Sequence, residues 1–183
     1  MLRVTLFFRM LFFVFFVHMV LQPVLAVAEN EVVSEKSPLY QELMPAAIEW
    51  KNAVLKKQVE VLVSYVLPEA RKKVASDLKN SNSDLYGIFY KGKNSIYDRL
   101  SKAKRLKIVL VKKKELEGFG QGTDVYYYDE DKIKLQFPLS DKKVQSLLRE
   151  GKIVLMFFFK EEGRWFTSYE FFDNNGDVNK KTN

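Results

Sequence analysis

Seven consecutive apolar residues, Ile153 to Phe159, set the tightest limit on what this chain can become. The run is bounded by Gly151-Lys152 on one side and Lys160-Glu161-Glu162-Gly163 on the other, which suits a strand better than a helix. Alternate side chains of a strand point to opposite faces, so a run without polar residues needs apolar cover on both. Antiparallel sheets commonly leave one face to water. Here either other segments of the chain or a second subunit must close over the strand from behind.

The neighbouring sequence supplies partners. Glu161-Glu162-Gly163 reads as a three-residue hairpin loop with Gly in the left-handed position. That loop pairs Phe159 with Trp165, Phe157 with Thr167, Leu155 with Tyr169 and Ile153 with Phe171. Upstream, Arg105 to Lys114 alternates as a strand, and a Gly-rich bend from Gly118 to Gly122 leads into a second strand over Thr123 to Tyr128. Asp129 to Lys132 reads as a turn, with Ile133 to Phe137 returning as the hairpin partner. Ser140 caps a short helix with Val144, Leu147 and Leu148 inside, ended by Gly151.

The first half is helical in period. Ile48, Leu55, Val59, Leu62 and Val66, widened by Trp50 and Val54, predict one long helix starting at Pro45 and ending at Pro68. A helix from Arg71 carries Val74 and Leu78 inward. Asp84 caps a short one carrying Leu85, Ile88 and Phe89, and Asn94 or Ser95 caps another around Ile96, Tyr97 and Leu100. Helices first and strands afterwards give an α+β domain.

The N-terminus determines the expected compartment. Arg3 and Arg9 precede an apolar stretch from Met10 to Leu21, Gln22-Pro23 break it, and Ala26-Val27-Ala28 offers small residues for a cut after Ala28. This is the pattern of a secretory signal, so a periplasmic or secreted protein is expected. The alternative is an uncleaved anchor, which gives the chain a membrane contact through that segment alone. The expected division is a signal over 1–28, a polar linker over 29–42, an α+β domain over 43–172 and a polar tail over 173–183.

The residue inventory excludes whole classes of chemistry. There is no Cys, and the only His, His18, lies in the leader. Nucleophilic triads and ordinary zinc or copper sites are excluded, and neither cofactor nor metal is expected. Asp173 to Asp177 begins like a calcium loop, but Val178 stands at the sixth position, where such a loop needs Gly, so a polar tail is expected. Gly118-x-Gly120-x-Gly122 opens into a strand, not a phosphate-binding helix. The net charge of +7 falls to about +5 without Arg3 and Arg9, and its lysines are scattered among acids, so no nucleic-acid partner is expected.

A long helix around Trp50, shorter helices down to Leu100 and a Gly163-Arg164-Trp165 hairpin together resemble the nuclear transport factor 2-like superfamily. That superfamily includes the ketosteroid-isomerase-like and SnoaL-like domains. The resemblance covers Leu43 to Phe172 and implies a cone in which a curved antiparallel sheet wraps the long helix, as in cystatin-like folds. It further implies a pocket or packed core at the open end, with Trp50, Phe89, Tyr97, Tyr126, Tyr128 and Trp165 as candidate lining residues. The functional expectation is a non-catalytic module binding a partner protein, such as an envelope protein, or a small apolar ligand, with a homodimer through the sheet. The alternatives are an isomerase or dehydratase using Asp124 and the Tyr126-Tyr127-Tyr128 hydroxyls, and an anchored scaffold subunit resembling the cone-folded subunits of type IV secretion machines. Asp77, Asp84 and Asp98 read as capping or solvated residues.

Overall fold

The computed structural model describes residues 31–116 and 120–168, and their side chains outside 113–121. The expected leader and tail, and the pairings expected for Tyr169 and Phe171, lie outside the described residues. Among these residues five strands form one open antiparallel sheet in chain order: β1 (Glu31–Val32), β2 (Leu106–Leu116), β3 (Gly120–Asp129), β4 (Ile153–Glu161) and β5 (Arg164–Thr167). Six helices accompany it among the described residues: α1 (Pro38–Leu55), α2 (Val59–Ser64), α3 (Arg71–Lys79), α4 (Asp84–Tyr90), α5 (Ile96–Ser101) and α6 (Asp141–Arg149). The α+β class is as expected.

The register sorts the strand residues onto two dry faces. Leu110, Val125 and Met156 lie abreast, as do Ile108, Tyr127 and Val154, and these face the helices before β2. Helix α1 lays Leu43, Ala47, Trp50 and Val54 on that face at helical spacing, all fully buried. The Trp50 ring sits 5.7 Å from Tyr127 and 6.1 Å from Phe89, and Tyr127 Oη donates to the Ala47 carbonyl at 2.9 Å. On the opposite face, Val111, Tyr126, Tyr128 and Ile153 are covered by Val144 and Leu147 of α6 and by the chain at 133–139. Phe157, Phe159 and Phe166 continue that face and are also buried. One chain thus supplies cover for both sides of the apolar strand.

The long helix differs from its expectation at both ends. It starts at Pro38, where Ser37 Oγ accepts the Tyr40 N–H at 3.1 Å and proline occupies a first-turn position that needs no donor. Pro45 therefore falls inside the helix. The stretch expected as a linker holds β1 and the first turn of α1. The helix stops at Leu55 because Lys57 turns left-handed at φ 54°, with Lys57 N–H bonded to Val54 O and Gln58 N–H to Ala53 O. That is the reversal usually assigned to glycine, and a lysine there gives no sequence signal.

Two strand expectations are corrected. Residues 133–137 form no strand; Ile133, Leu135 and Phe137 lie on the sheet from an irregular segment, which satisfies the same alternation of apolar residues. The place beside β3 goes to β4. The last hairpin turns on two residues, Glu162 (φ 48°) and Gly163 (φ 77°), so Phe159 opposes Phe166 and Phe158 opposes Thr167. Two successive positive φ values match the strand twist, and the one-residue slip moves Trp165 onto the helix face. The caps at Ser95 and Ser140, and the inward positions of α3, α5 and α6, are as expected, while Ser83 rather than Asp84 caps α4.

Candidate functional site

Among the described residues β5 covers only part of β4. It pairs only with Phe158 to Glu161, and Ser168 N–H reaches Phe157 O, so among the described residues no strand flanks Ile153 to Met156 on that side. Helices reach this open edge from both faces: Ile88 and Lys91 at α4, Ile96 and Arg99 on α5, and Leu148 and Arg149 on α6. The result is a cleft of about 480 Å³ with Val154 and Leu155 among its lining residues. That volume is within the range of small-molecule sites, roughly 300–1,000 Å³.

The cleft is positive over an apolar floor. Lys91, Arg99 and Arg149 contribute cations, Asn94 and Ser95 contribute neutral polar groups, and among the described residues no carboxylate lines it. The carboxylates nearest in sequence are already engaged, since Asp98 pairs with Lys102 at 2.6 Å and Glu150 with Lys152 at 2.6 Å. Arg99 is the structural pivot. Its Nη1 donates to the Ile153 carbonyl at 3.0 Å, while its buried Nε has no hydrogen-bond acceptor among the described residues. Burial lowers the guanidinium pKa, against the opposing pull of Asp98, yet a guanidinium stays charged in any ordinary buffer.

Gly151 lets this arrangement close. It ends α6 at φ +67°, and a Cβ there would sit 3.1 Å from Asn94 Oδ1 and 3.5 Å from Arg99 Nε. A second, smaller cleft of about 220 Å³ lies behind Arg99, bordered by Tyr128, Asp129 and Lys132. Arg99 lines both.

The six aromatic candidates do not converge on one space. Trp50 and Phe89 are fully buried in the helix-face core. Tyr97 stands beside Tyr90, with the Lys57 ammonium 5.4 Å from each ring. Trp165 is half-buried against the helix-face core, under the Lys160 ammonium at 5.7 Å. Tyr126 and Tyr128 lie on the other face, packed on Phe137. Of the six, only Tyr128 borders either cleft.

The Asp124–Tyr126 pair is real but enclosed. Tyr126 Oη donates to Asp124 Oδ2 at 3.3 Å, and both residues are buried. Burial and the adjacent carboxylate push the Tyr126 phenol well above its ordinary pKa. Neither residue lines either cleft. Asp77 and Asp98 pair with lysines on their own helices, as solvated residues do. Among the described residues, no group of three or more acidic or metal-binding side chains is placed to hold a metal ion.

No match is found among family models, curated proteins or solved structures. The cleft must be judged on its own geometry. Sequence reasoning missed Lys91, Arg99 and Arg149 because they come from three separate elements and share no spacing. The one available signal is the apolar strand itself, whose edge outruns its hairpin partner among the described residues.

Proposed function

We propose that this chain is an exported, non-catalytic binding domain of nuclear transport factor 2-like type that holds a small, partly apolar ligand at the open edge of β4. The cleft lined by Ile88, Ile96, Val154 and Leu155 carries this reading, because it pairs an apolar floor with a few polar groups. The helix-then-sheet order, with α1 buried across a meander, supports the likeness in fold, and the leader pattern of residues 1–28 supports export. A chain whose N-terminus is Glu29 by mass spectrometry is expected. One that retains Met1 favours the anchored scaffold.

Titration calorimetry with eight-carbon amphiphiles tests the ligand reading. Binding is expected, and Leu155→Trp, which fills the floor, is expected to abolish it. Heats that persist unchanged in that variant would place the binding elsewhere and overturn the reading.

A further inference from the structure

We infer that the ligand of the β4 edge cleft carries an anionic head, a carboxylate or phosphate, received by the Arg99 guanidinium with Lys91 and Arg149 at the rim and its apolar part on Val154 and Leu155. This inference rests on the reading of the cleft as a ligand site and adds the chemical class of the ligand.

Three observations carry it. First, among the described residues the cleft gathers three cations and no carboxylate, while Asp98 and Glu150 are paired with Lys102 and Lys152. Second, Arg99 is anchored through Nη1 to the Ile153 carbonyl, which fixes the plane of its guanidinium. A planar fork held in place is prepared for two parallel hydrogen bonds to an anionic oxygen pair. Third, Arg99 Nε is buried without an acceptor among the described residues. A dry, unmet donor on a cation is unfavourable, so a small shift of the side chain that turns it to the cleft gains an anionic acceptor. The neutral neighbours Asn94 and Ser95 add polarity without opposing charge. Gly151, where a side chain would crowd Asn94 and Arg99, leaves both of them room to hold these positions.

Calorimetric titration of the full chain with octanoate, octyl phosphate and octanol tests this. At least one anion is expected to bind about tenfold or more tightly than octanol, the factor a charge-assisted contact supplies. Whichever anion is tighter identifies the head group. Arg99→Gln should bring the anions to the level of octanol, and Arg149→Glu, an exposed change that leaves the core alone, should weaken the anions and spare octanol. Equal binding of all three probes, lost in Leu155→Trp, would refute the anionic head but keep the ligand site. No binding by any probe would refute both. Tightening of octanoate by tenfold or more when Phe171 and Phe172 are replaced by Ser would assign the cleft to the chain's own C-terminal segment and refute the proposal.

Discussion

The ring of Phe157 lies across Gly122 so closely that a Cβ on Gly122 would come within 1.9 Å of Phe157 Cζ. The two residues are diagonal neighbours on adjacent strands, β3 and β4, where Gly122 opposes Phe159. A large ring in β4 is accommodated by a missing side chain in β3. Gly122→Ala should therefore destabilise the fold by about 1–3 kcal/mol through overpacking. Phe157→Leu in the same chain should recover part of the loss, and urea unfolding of the two single variants and the double variant measures that coupling.

Leu147 is the fully buried residue through which α6 covers the second sheet face. Leu147→Ala should cost about 2–5 kcal/mol. The same variant should raise the fluorescence of a hydrophobic dye, as Tyr126 and Ile153 lose cover. A loss below about 1 kcal/mol would mean that the far face is covered by something other than α6.

Much of the architecture could be read in advance where local chemistry and burial agree. Ser95 and Ser140 cap their helices, and Val74, Leu78 and Val144 point inward, because capping and helical period say the same thing. The demand that Ile153 to Phe159 be covered twice was legible from seven side chains. Legibility failed where backbone conformation decides. Nothing in Lys57 announces a left-handed helix end, and nothing in Ile133-x-Leu135-x-Phe137 separates a strand from an irregular segment pressed on a sheet. The cleft was invisible because its cations come from separate helices.

The turn Glu162-Gly163 carries two positive φ values in succession, and only the second is on a residue that accepts them readily. Gly163→Ala should cost about 1 kcal/mol. Glu162→Asn should stabilise by a few tenths to about 1 kcal/mol, since Asn-Gly is the favoured pair for this turn. Thermal melts of both variants check the opposite signs. A three-residue loop would instead make the chain indifferent to Glu162→Asn.

Acid should weaken the fold partly through Asp129. Burial works to raise its carboxyl pKa, but hydrogen bonds from the backbone N–H groups of Lys104, Arg105 and Asp131 and the Lys132 ammonium at 3.3 Å prevail and hold it below its ordinary value. A carboxyl lowered in the folded state contributes stability above the unfolded pKa of about 3.9, lost as pH falls through the lower folded value. The urea midpoint should fall as the pH drops below about 5 and go on falling through the lower folded value. Asp129→Asn should flatten that fall.

Tyr90 should resist ionisation in base. Burial, with Tyr86 adding to it, raises its phenol to about 12. The stabilisation linked to the neutral phenol is complete below the unfolded pKa of about 10 and is lost as pH rises towards the folded value. Tyrosinate absorbance on alkaline titration should show a late component, to which the buried Tyr126 and Tyr127 also contribute, that Tyr90→Phe reduces by one phenol. An unchanged titration curve would count against that assignment.

Because each strand lies beside its predecessor, the sheet can be laid down in the order of synthesis. The apolar strand Ile153 to Phe159 leaves the ribosome only after β2 and β3 exist to receive it, and α6, made just before, is ready to fold over its back. Its time as a bare hydrophobic ribbon is short, which limits the interval in which it can join a neighbouring copy into an aggregate.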